Sequence, residues 1–265
     1  MGDMRAFAAG HTPIGVQLYT VRNLAEGDLR EVLKQIRAIG YEEVETYSSI
    51  YSHPAAQLRQ MILDAGLTVP SGHFDYNGMA QNFDYAKKLG VKWIVCPMLP
   101  RPLGNSLEGF QQAAKQFNEW GKQAQQMGMR FAFHNHDYEF RKFNGTTGYD
   151  VLMKETDPSL VFFELDCYWV AQAGIDPVTM MKKLGRRVRM VHLKDRKPGF
   201  PPSNDMSKAS AHFTEVGSGS IDWHAVIREA QSLGIEYYFV EQDQTDTTPM
   251  ASIKQSYKYL RTILT

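Results

Sequence analysis

The chain has 265 residues, and its 29 lysines and arginines balance 29 aspartates and glutamates, so the formal charge is zero. This balance gives no reason to expect a nucleic acid or an anionic membrane surface as partner. No apolar run approaches the ~18 residues of a membrane span, and no apolar leader segment begins the chain. We therefore expect one domain over residues 1–265, flexible over 1–12, and cytoplasmic unless a leader has been removed.

Short apolar runs alternate with longer amphipathic segments from one end of the chain to the other. The apolar runs predict strands: IGVQLYTV (14–21), YEEVETY (41–47), LTVPSGHF (67–74), VKWIVCPML (91–99), MRFAFHNH (129–136), LVFFELDCYW (160–169), VRMVHLKD (188–195) and EYYFVEQD (236–243). The segments between them repeat apolar residues at helical spacing and predict helices: 28–40, 54–66, 79–90, 105–128, 147–155, 176–185, 220–234 and 249–264.

Eight strands, each followed by a helix, predict an α/β fold with a parallel sheet buried on both faces. A single closed (β/α)8 TIM barrel fits this number of units. The alternative is an open doubly wound sheet, which normally carries a glycine-rich turn after its first strand, and TVRNLAEGD is not such a turn. The long segment 196–220 after the seventh strand is rich in proline, glycine and serine, and we expect it to act as a lid.

Ionisable pairs end four successive predicted strands, with the two members of each pair on one face because they are two residues apart. The pairs are His134 and His136, Glu164 and Asp166, His192 and Lys194, and Glu241 and Asp243. Buried charges are costly unless they are paired or coordinated. A shared cation would compensate the carboxylates and use neutral imidazoles as donors. Imidazole and carboxylate donors without thiolate suit manganese, zinc, cobalt or iron, and magnesium less well.

The segments GVQLYTVR, YEEVE, HNHDYEF, FELDCYWV, HLKD and VEQD resemble the sugar phosphate isomerase/epimerase family of the xylose-isomerase-like TIM-barrel superfamily. The superfamily also holds ketose epimerases, inosose isomerases and dehydratases, and endonuclease IV. The resemblance implies one divalent metal at the C-terminal end of the barrel and a sugar or polyol substrate. Carried over by motif, the metal ligands are Asp166, His192 and Glu241, with His134 or His136 where relatives place a strand-five glutamate.

This imidazole is a departure from the ketose epimerases, in which two metal-bound glutamates also transfer the protons. The leading expectation is still an isomerase or epimerase that moves a proton next to a carbonyl through an enediolate. Glu241 would be one base, and His136, Glu139, Glu164 or Lys194 would supply the other acid or base. The residues expected to contact substrate are Gln17, Tyr19, Glu45, His73, Trp169 and Asp195, with Tyr168 as a further aromatic wall or a barrel cap.

Three other functions stay open at this stage. A lyase or dehydratase acting on a keto-sugar or inosose would use the same enediolate and lose a neighbouring substituent. An endonuclease IV-like activity would need more metal ligands and a basic surface, which the charge balance argues against. A non-catalytic sugar-binding barrel would not need Glu241. Relatives are often dimers or tetramers, so a homo-oligomer is a further expectation from the resemblance.

Overall fold

Eight parallel strands form a closed barrel in the computed structural model, which describes residues 11–208 and 212–264. The strands are β1 Gly15–Gln17, β2 Glu43–Thr46, β3 Thr68–His73, β4 Trp93–Cys96, β5 Arg130–His134, β6 Val161–Asp166, β7 Val188–Leu193 and β8 Tyr237–Val240. Each pairs with its neighbours in sequence, and β1 closes the barrel against β8, with Gly15 opposite Phe239. The predicted single (β/α)8 barrel is confirmed, and the open doubly wound sheet is excluded.

Helices cover the outside of the barrel, and at least one follows every strand. They are α1 Arg22–Ile39, α2 Ala55–Asp64, α3 Phe83–Leu89, α4 Leu107–Gln126, α5 Gly148–Glu155, α6 Cys167–Gln172, α7 Pro177–Leu184, α8 Trp223–Leu233 and α9 Pro249–Ile263. Within residues 11–208 and 212–264, no helix is long and apolar enough to cross a bilayer. Most of the predicted flexible segment, residues 1–10, lies outside the described residues. His11 and Thr12 contact Glu42 and Arg261, respectively.

Large side chains fill the lower part of the barrel interior. The inner cluster consists of Trp93, Val95, Ala132, Met190, Tyr237 and Phe239, with Phe162 packed against it. Ala132 is two residues before His134 on β5, so both side chains point to the same side of that strand. The apolar filling therefore gives way to polar side chains near the carboxyl ends of the strands, which is the end where barrel enzymes place their active sites.

The first strand is shorter than predicted because the chain turns at Gln17. The Gln17 side chain accepts a hydrogen bond from the backbone N–H of Tyr19 at 3.1 Å, and residues Leu18–Val21 form a 3-10 turn. Helix α1 then begins at Arg22 instead of at residue 28. Asp28 has non-helical angles (φ −139°, ψ 87°), so α1 is kinked at the position where the sequence predicted its start.

The sixth strand also ends earlier than predicted. The Asp166 side chain accepts a hydrogen bond from the backbone N–H of Trp169 at 2.8 Å and caps the short helix α6. Carboxylates are favoured at this capping position. Residues 167–169, predicted as strand, are therefore helical.

The predicted lid segment contains secondary structure of its own. Asp195–Arg196 pairs with Phe213–Thr214 in an antiparallel ladder, and Met206–Lys208 forms a 3-10 turn. Elsewhere, a second small ladder joins Lys142–Phe143 to Thr146–Thr147. The sequence predicted neither ladder, because two-residue strands have no recognisable periodicity.

Candidate active site

A pocket of about 320 Å³ opens at the C-terminal end of the barrel. Its walls come from the carboxyl ends of all eight strands and the chain that follows them, including one residue in the middle of the long segment after β7. The lining residues are Tyr19, Tyr47, Ser48, Ser49, His73, Asp75, Pro97, Met98, His134, His136, Trp169, Lys194, Met206, Glu241 and Asp243. The volume is within the range of small-molecule sites, near its lower end.

Four buried side chains from successive strands meet at the floor of this pocket and form what we call the upper group: His134, Asp166, His192 and Glu241. Each offers one donor atom, and the four atoms lie within 4.8 Å of one another. Asp166 and His192 have no exposed surface, and Glu241 is 6% exposed. This cluster brings together the four residues that the sequence predicted as metal ligands.

Each histidine of the upper group lies beside a deeper carboxylate. His192 Nε2 lies 2.7 Å from Glu45 Oε2, while its Nδ1 lies 2.9 Å from Glu241 Oε2. His134 Nδ1 lies 3.2 Å from Glu164 Oε2, while its Nε2 lies 4.0 Å from Asp166 Oδ2. Each ring thus turns one nitrogen to a deeper carboxylate and the other to the upper group, an arrangement that fixes the orientation of metal-binding histidines.

A second set of possible ligands lies one layer deeper and shares both histidines: His73, His134, Glu164 and His192. In this layer His73 Nε2 is 2.7 Å from Glu164 and 3.2 Å from Glu45. Burial alone would lower the pKa of His73, but the two carboxylates outweigh it and raise the pKa to about 10. The deeper layer is therefore already paired internally, with imidazolium against carboxylate.

Gln17 and Glu45 belong to this deeper layer, not to the pocket wall. The Gln17 amide donates to Glu45 Oε2 at 2.8 Å, and Ser71 donates to the other oxygen. The neighbouring His73 and His192 hold the pKa of Glu45 well below its usual range despite its complete burial. The expected contacts of Gln17 and Glu45 with substrate are replaced by contacts that support the histidines. Glu164 likewise lies below the pocket.

The charges of the upper group are not balanced by the described side chains. Lys194 Nζ lies 2.6 Å from Glu241, 3.1 Å from Asp166 and 3.0 Å from Asp243. The two carboxylates of the upper group and the neighbouring Asp243 face one ammonium, which leaves two negative charges. Burial raises the pKa of Asp166 to about 6, although Lys194 and His192 act in the opposite direction. Asp166 Oδ2 and Glu164 Oε1 also make no hydrogen bond among the described residues. These residues fit a divalent cation in both charge and donor type.

Four polar atoms of pocket-lining residues lack a hydrogen-bond partner in the described part of the chain: the Tyr47 hydroxyl, His134 Nδ1, His136 Nδ1 and Trp169 Nε1. Two of them, on His136 and Trp169, lie on the same wall. Their rings lie 5.1 Å apart between centroids. Burial and the nearby Lys194 lower the pKa of His136 to about 3, so its imidazole is neutral. A neutral imidazole and an indole N–H on one wall can bind the hydroxyl groups of a ligand.

Asp195, expected at the substrate, lies instead under the segment that follows β7. Its carboxylate accepts hydrogen bonds from the backbone N–H groups of Gly217 at 2.9 Å and Gly219 at 3.0 Å, and from Trp223 Nε1 at 2.7 Å. Asp195 therefore anchors this segment. Tyr168 is also buried, stacked on Phe213.

The sequence analysis missed several residues of the pocket wall. Tyr47, Ser48 and Ser49 follow β2, Asp75 follows β3, and Pro97 and Met98 follow β4. The available signal was their position directly after the strands, because barrel active sites are built from these connections. Met206 could not have been found in this way, since it lies in the middle of the long segment.

Comparison with known proteins places this site in a wider context. The family model described as xylose isomerase-like TIM barrel matches residues 33–263. An inosose dehydratase of Clostridium tetani is 28% identical over 164 residues, which are 58% of this chain and 54% of that protein. The chain thus matches about half the length of that curated relative.

Two solved structures show the same architecture. A sugar phosphate isomerase/epimerase from Parabacteroides distasonis superposes with a TM-score of 0.78 at 25% identity, covering 95% of this chain and 98% of that one. The IolI protein, solved with a zinc atom, superposes with a TM-score of 0.73 at 15% identity, covering 96% and 98%. At that lower identity the likeness concerns the fold alone.

Proposed function

We propose that this chain, which belongs to the xylose isomerase-like TIM barrel family, is a divalent-metal-dependent lyase acting on a keto-sugar or keto-polyol. The reaction removes a proton from the carbon next to the carbonyl and expels a substituent from the following carbon. The observation that carries this choice is the single carboxylate, Glu241, that belongs both to the upper group and to the pocket wall. The name of the inosose dehydratase relative supports the same reaction type.

The proposed ligands of the metal are His134, Asp166, His192 and Glu241, because their donor atoms converge. Glu45 pairs with the deeper nitrogen of His192, and Glu164 lies 3.2 Å from the deeper nitrogen of His134. When bound, the ion supplies a Lewis acid that polarises the substrate carbonyl. Manganese, zinc and cobalt suit these donors best, with magnesium and iron as further candidates.

Glu241 is the proposed base, since its carboxylate reaches the pocket and has ammonium and imidazole partners. The ammonium of Lys194, 2.6 Å from that carboxylate, also lines the pocket and is the proposed acid for the leaving oxygen. Loss of the proton and of a hydroxyl group leaves a carbon–carbon double bond and one water. His136 and Trp169 bind the ring hydroxyls through their unpartnered nitrogens.

Isomerisation or epimerisation is the second candidate. It begins with the same proton removal, after which Lys194 or His136 returns a proton instead of a substituent leaving. The likeness to the Parabacteroides distasonis sugar phosphate isomerase/epimerase supports it.

Product analysis tests the proposal. The protein, loaded in turn with manganese, zinc and cobalt, is incubated with scyllo-inosose and with a panel of ketoses, and the products are analysed by mass spectrometry. Elimination gives a product lighter by one water, whereas isomerisation conserves mass. Glu241→Gln should abolish turnover, and Asp222→Asn, at the cap of α8 outside the pocket, should retain it. Full turnover by the Glu241→Gln variant would contradict the assigned base.

A further inference from the structure

A second cavity, of about 740 Å³, adjoins the substrate pocket at the same end of the barrel. We call it the side pocket. It is lined by Met98, Leu99, Arg101, Gly104, Asn105, Tyr138, Arg141, Asn204, Asp205, Met206 and Ser207. Met98 and Met206 line both cavities, so the two spaces lie on either side of this methionine pair. Because methionine side chains are flexible, a ligand can extend from one space into the other.

Three separate parts of the chain build the side pocket. The connection after β4 supplies residues 98–105, the connection after β5 supplies Tyr138 and Arg141, and the long segment after β7 supplies residues 204–207. All three follow carboxyl ends of barrel strands, where substrate contacts collect in this architecture.

The walls of the side pocket are apolar over much of their surface but include unpaired groups of both hydrogen-bonding types. Arg141 Nε, a donor, and Asn204 Oδ1, an acceptor, have no hydrogen-bond partner among the described residues. A hydroxyl group is both donor and acceptor, so a ligand rich in hydroxyl groups can satisfy the two kinds of atom. An apolar ligand would leave both unsatisfied, at a free-energy cost.

The polar side chains of this wall suit an oxygen-rich ligand. Arg101 and Arg141 supply donors for oxygen atoms, the Asn204 oxygen can accept from a hydroxyl group, and the Asp205 carboxylate already accepts from Ser207. The phenol oxygen of Tyr138 already accepts a hydrogen bond from Leu99 N at 2.9 Å, so Tyr138 contributes mainly ring surface. Two arginines, an amide and an aromatic ring form a combination suited to a sugar ring.

We infer that the substrate is a keto-sugar joined through an oxygen atom to a second sugar unit, and that the second unit binds in the side pocket. This inference rests on the proposed function and specifies the substrate class. The cavity of about 320 Å³ takes the reacting ring, and the adjoining space takes its substituent. In the elimination, Glu241 takes the proton from the carbon next to the carbonyl, and the electron pair forms the double bond. The bond to the bridging oxygen breaks, and that oxygen takes a proton from Lys194 and leaves as a hydroxyl of the free second sugar.

Calorimetric titration of the metal-loaded protein tests the inference with two probes, D-fructose and lactulose. Lactulose is the same ketose with a galactose on the oxygen two carbons from the carbonyl. We expect lactulose to bind about tenfold more tightly than fructose, since two or more added hydrogen bonds give a gain of that order. The double variant Arg101→Gln/Arg141→Gln should remove this advantage and leave fructose binding unchanged. Arg228→Gln, on the exposed face of α8, is the matched control and should keep it.

The outcomes separate this inference from the proposed function. If fructose binds and lactulose binds no better, or if the double variant weakens both sugars equally, the second-sugar inference is overturned and the lyase proposal stands. If neither sugar binds to the metal-loaded protein, the keto-sugar site itself fails, and the inference fails with it.

Discussion

Asp166 uses its two carboxylate oxygens for two different purposes. Oδ1 accepts the backbone N–H of Trp169 and starts helix α6, while Oδ2 faces the histidines of the upper group and the ammonium of Lys194 at 3.1 Å. The capping contact fixes the side chain, so the second oxygen is held towards the place where a cation would bind. A carboxylate that is fixed in this way loses little rotational freedom when a metal binds.

Asp166→Asn should therefore remove metal binding and keep the fold. Asparagine can still cap α6 through its amide oxygen, but it removes one negative charge from the proposed ligands. We expect a loss of metal affinity of at least about 100-fold, given that changes even behind a ligand cost 10–100-fold. Elemental analysis after dialysis measures this loss. Asp176→Asn, at the equivalent cap of α7, should leave the metal content unchanged. Equal metal in both variants would contradict the proposed ligand set.

Glu139 should make stability depend on pH. Burial raises the pKa of this carboxyl to about 8, and the backbone N–H of His136 donates to it at 3.0 Å. In the unfolded chain its pKa is about 4.3. Between these values the folded state holds a proton that the unfolded state has released, so the contribution of Glu139 to stability is present below about pH 4.3 and falls as the pH rises towards 8.

Glu139→Gln should abolish this contribution to the pH dependence. We expect the variant to gain stability relative to the native chain as the pH rises from 5 to 8, by at most a few kcal/mol. Melting temperatures at both pH values measure the gain. The exposed Glu119→Gln serves as control and should show the same small difference at each pH. A pH-independent effect of Glu139→Gln would show that its carboxyl is already ionised in the fold.

The sequence predicted the upper group because strand alternation and a family motif both point to the same residues. Alternation places residues two apart on one face of a strand, and four successive strands end with such a pair of ionisable residues. The sequence could not distinguish residues that line the pocket from those beneath it. Gln17 and Glu45 are polar residues at strand ends like His73, and only the depth of the barrel filling separates their positions. Asp195 was misplaced because its partners lie more than 20 residues away in sequence.

Helix α4 packs directly against the backbone that leads into β6, and a glycine makes this close approach possible. A Cβ on Gly121, in the middle of α4, would lie 2.5 Å from the carbonyl oxygen of Leu160, just before β6. The helix and the chain leading into β6 are thus in contact because residue 121 has no side chain. Any larger residue must move one of them.

Gly121→Ala should destabilise the protein, although alanine favours helices. Overpacking of this kind costs about 1–3 kcal/mol, and the gain in helix propensity is at most about 1 kcal/mol. Gly27→Ala in α1 is the control, because nothing lies within 4 Å of its added Cβ and it should be neutral or stabilising. Urea unfolding measures both variants. Equal stability of the two would mean that α4 shifts without cost.

Asp195 anchors a whole segment, so a small change at this residue should have an extended effect. In addition to the three donors described above, its carboxylate accepts the N–H groups of Arg196 and Ile221. In Asp195→Asn, the amide nitrogen faces at least two of these donors, at a cost of about 2–5 kcal/mol. Hydrogen exchange should accelerate across residues 196–208 and 212–220, whereas Asp222→Asn should leave it unchanged. Unaltered exchange in the first variant would show that the ladder with Phe213–Thr214 holds the segment without Asp195.

The order of the elements was predictable because each strand and helix carries a local signal. The eight apolar runs correspond to the eight barrel strands, and glycines and prolines marked several helix ends. Two of the misjudged boundaries are set by a side-chain contact. Gln17 turns the chain after β1, and Asp166 starts α6 inside a run that otherwise continues as an apolar strand.

For the whole molecule, the upper group ties the strands from β5 to β8 together. Its two carboxylates and two imidazoles are buried, and the proposed cation would compensate the carboxylates. We expect saturating metal, at about 100 times its dissociation constant, to stabilise the fold by ~2.7 kcal/mol. For a domain of this size that raises the melting temperature by roughly 5–10 °C relative to protein in EDTA. Asp166→Asn should show no such shift, and an equal shift in the variant would place the metal elsewhere.

The pairing of β1 with β8 has a consequence for synthesis on the ribosome. The nascent chain presents its first strand early, but that strand waits for Tyr237–Val240 before the barrel can close. Glu241 follows immediately, so closure of the barrel and completion of the upper group occur together. A chain arrested before β8 would expose two open sheet edges, which are prone to aggregation, and would lack one of the proposed ligands. With the proposed ligand set, only chains whose translation has passed the last strand can bind the ion.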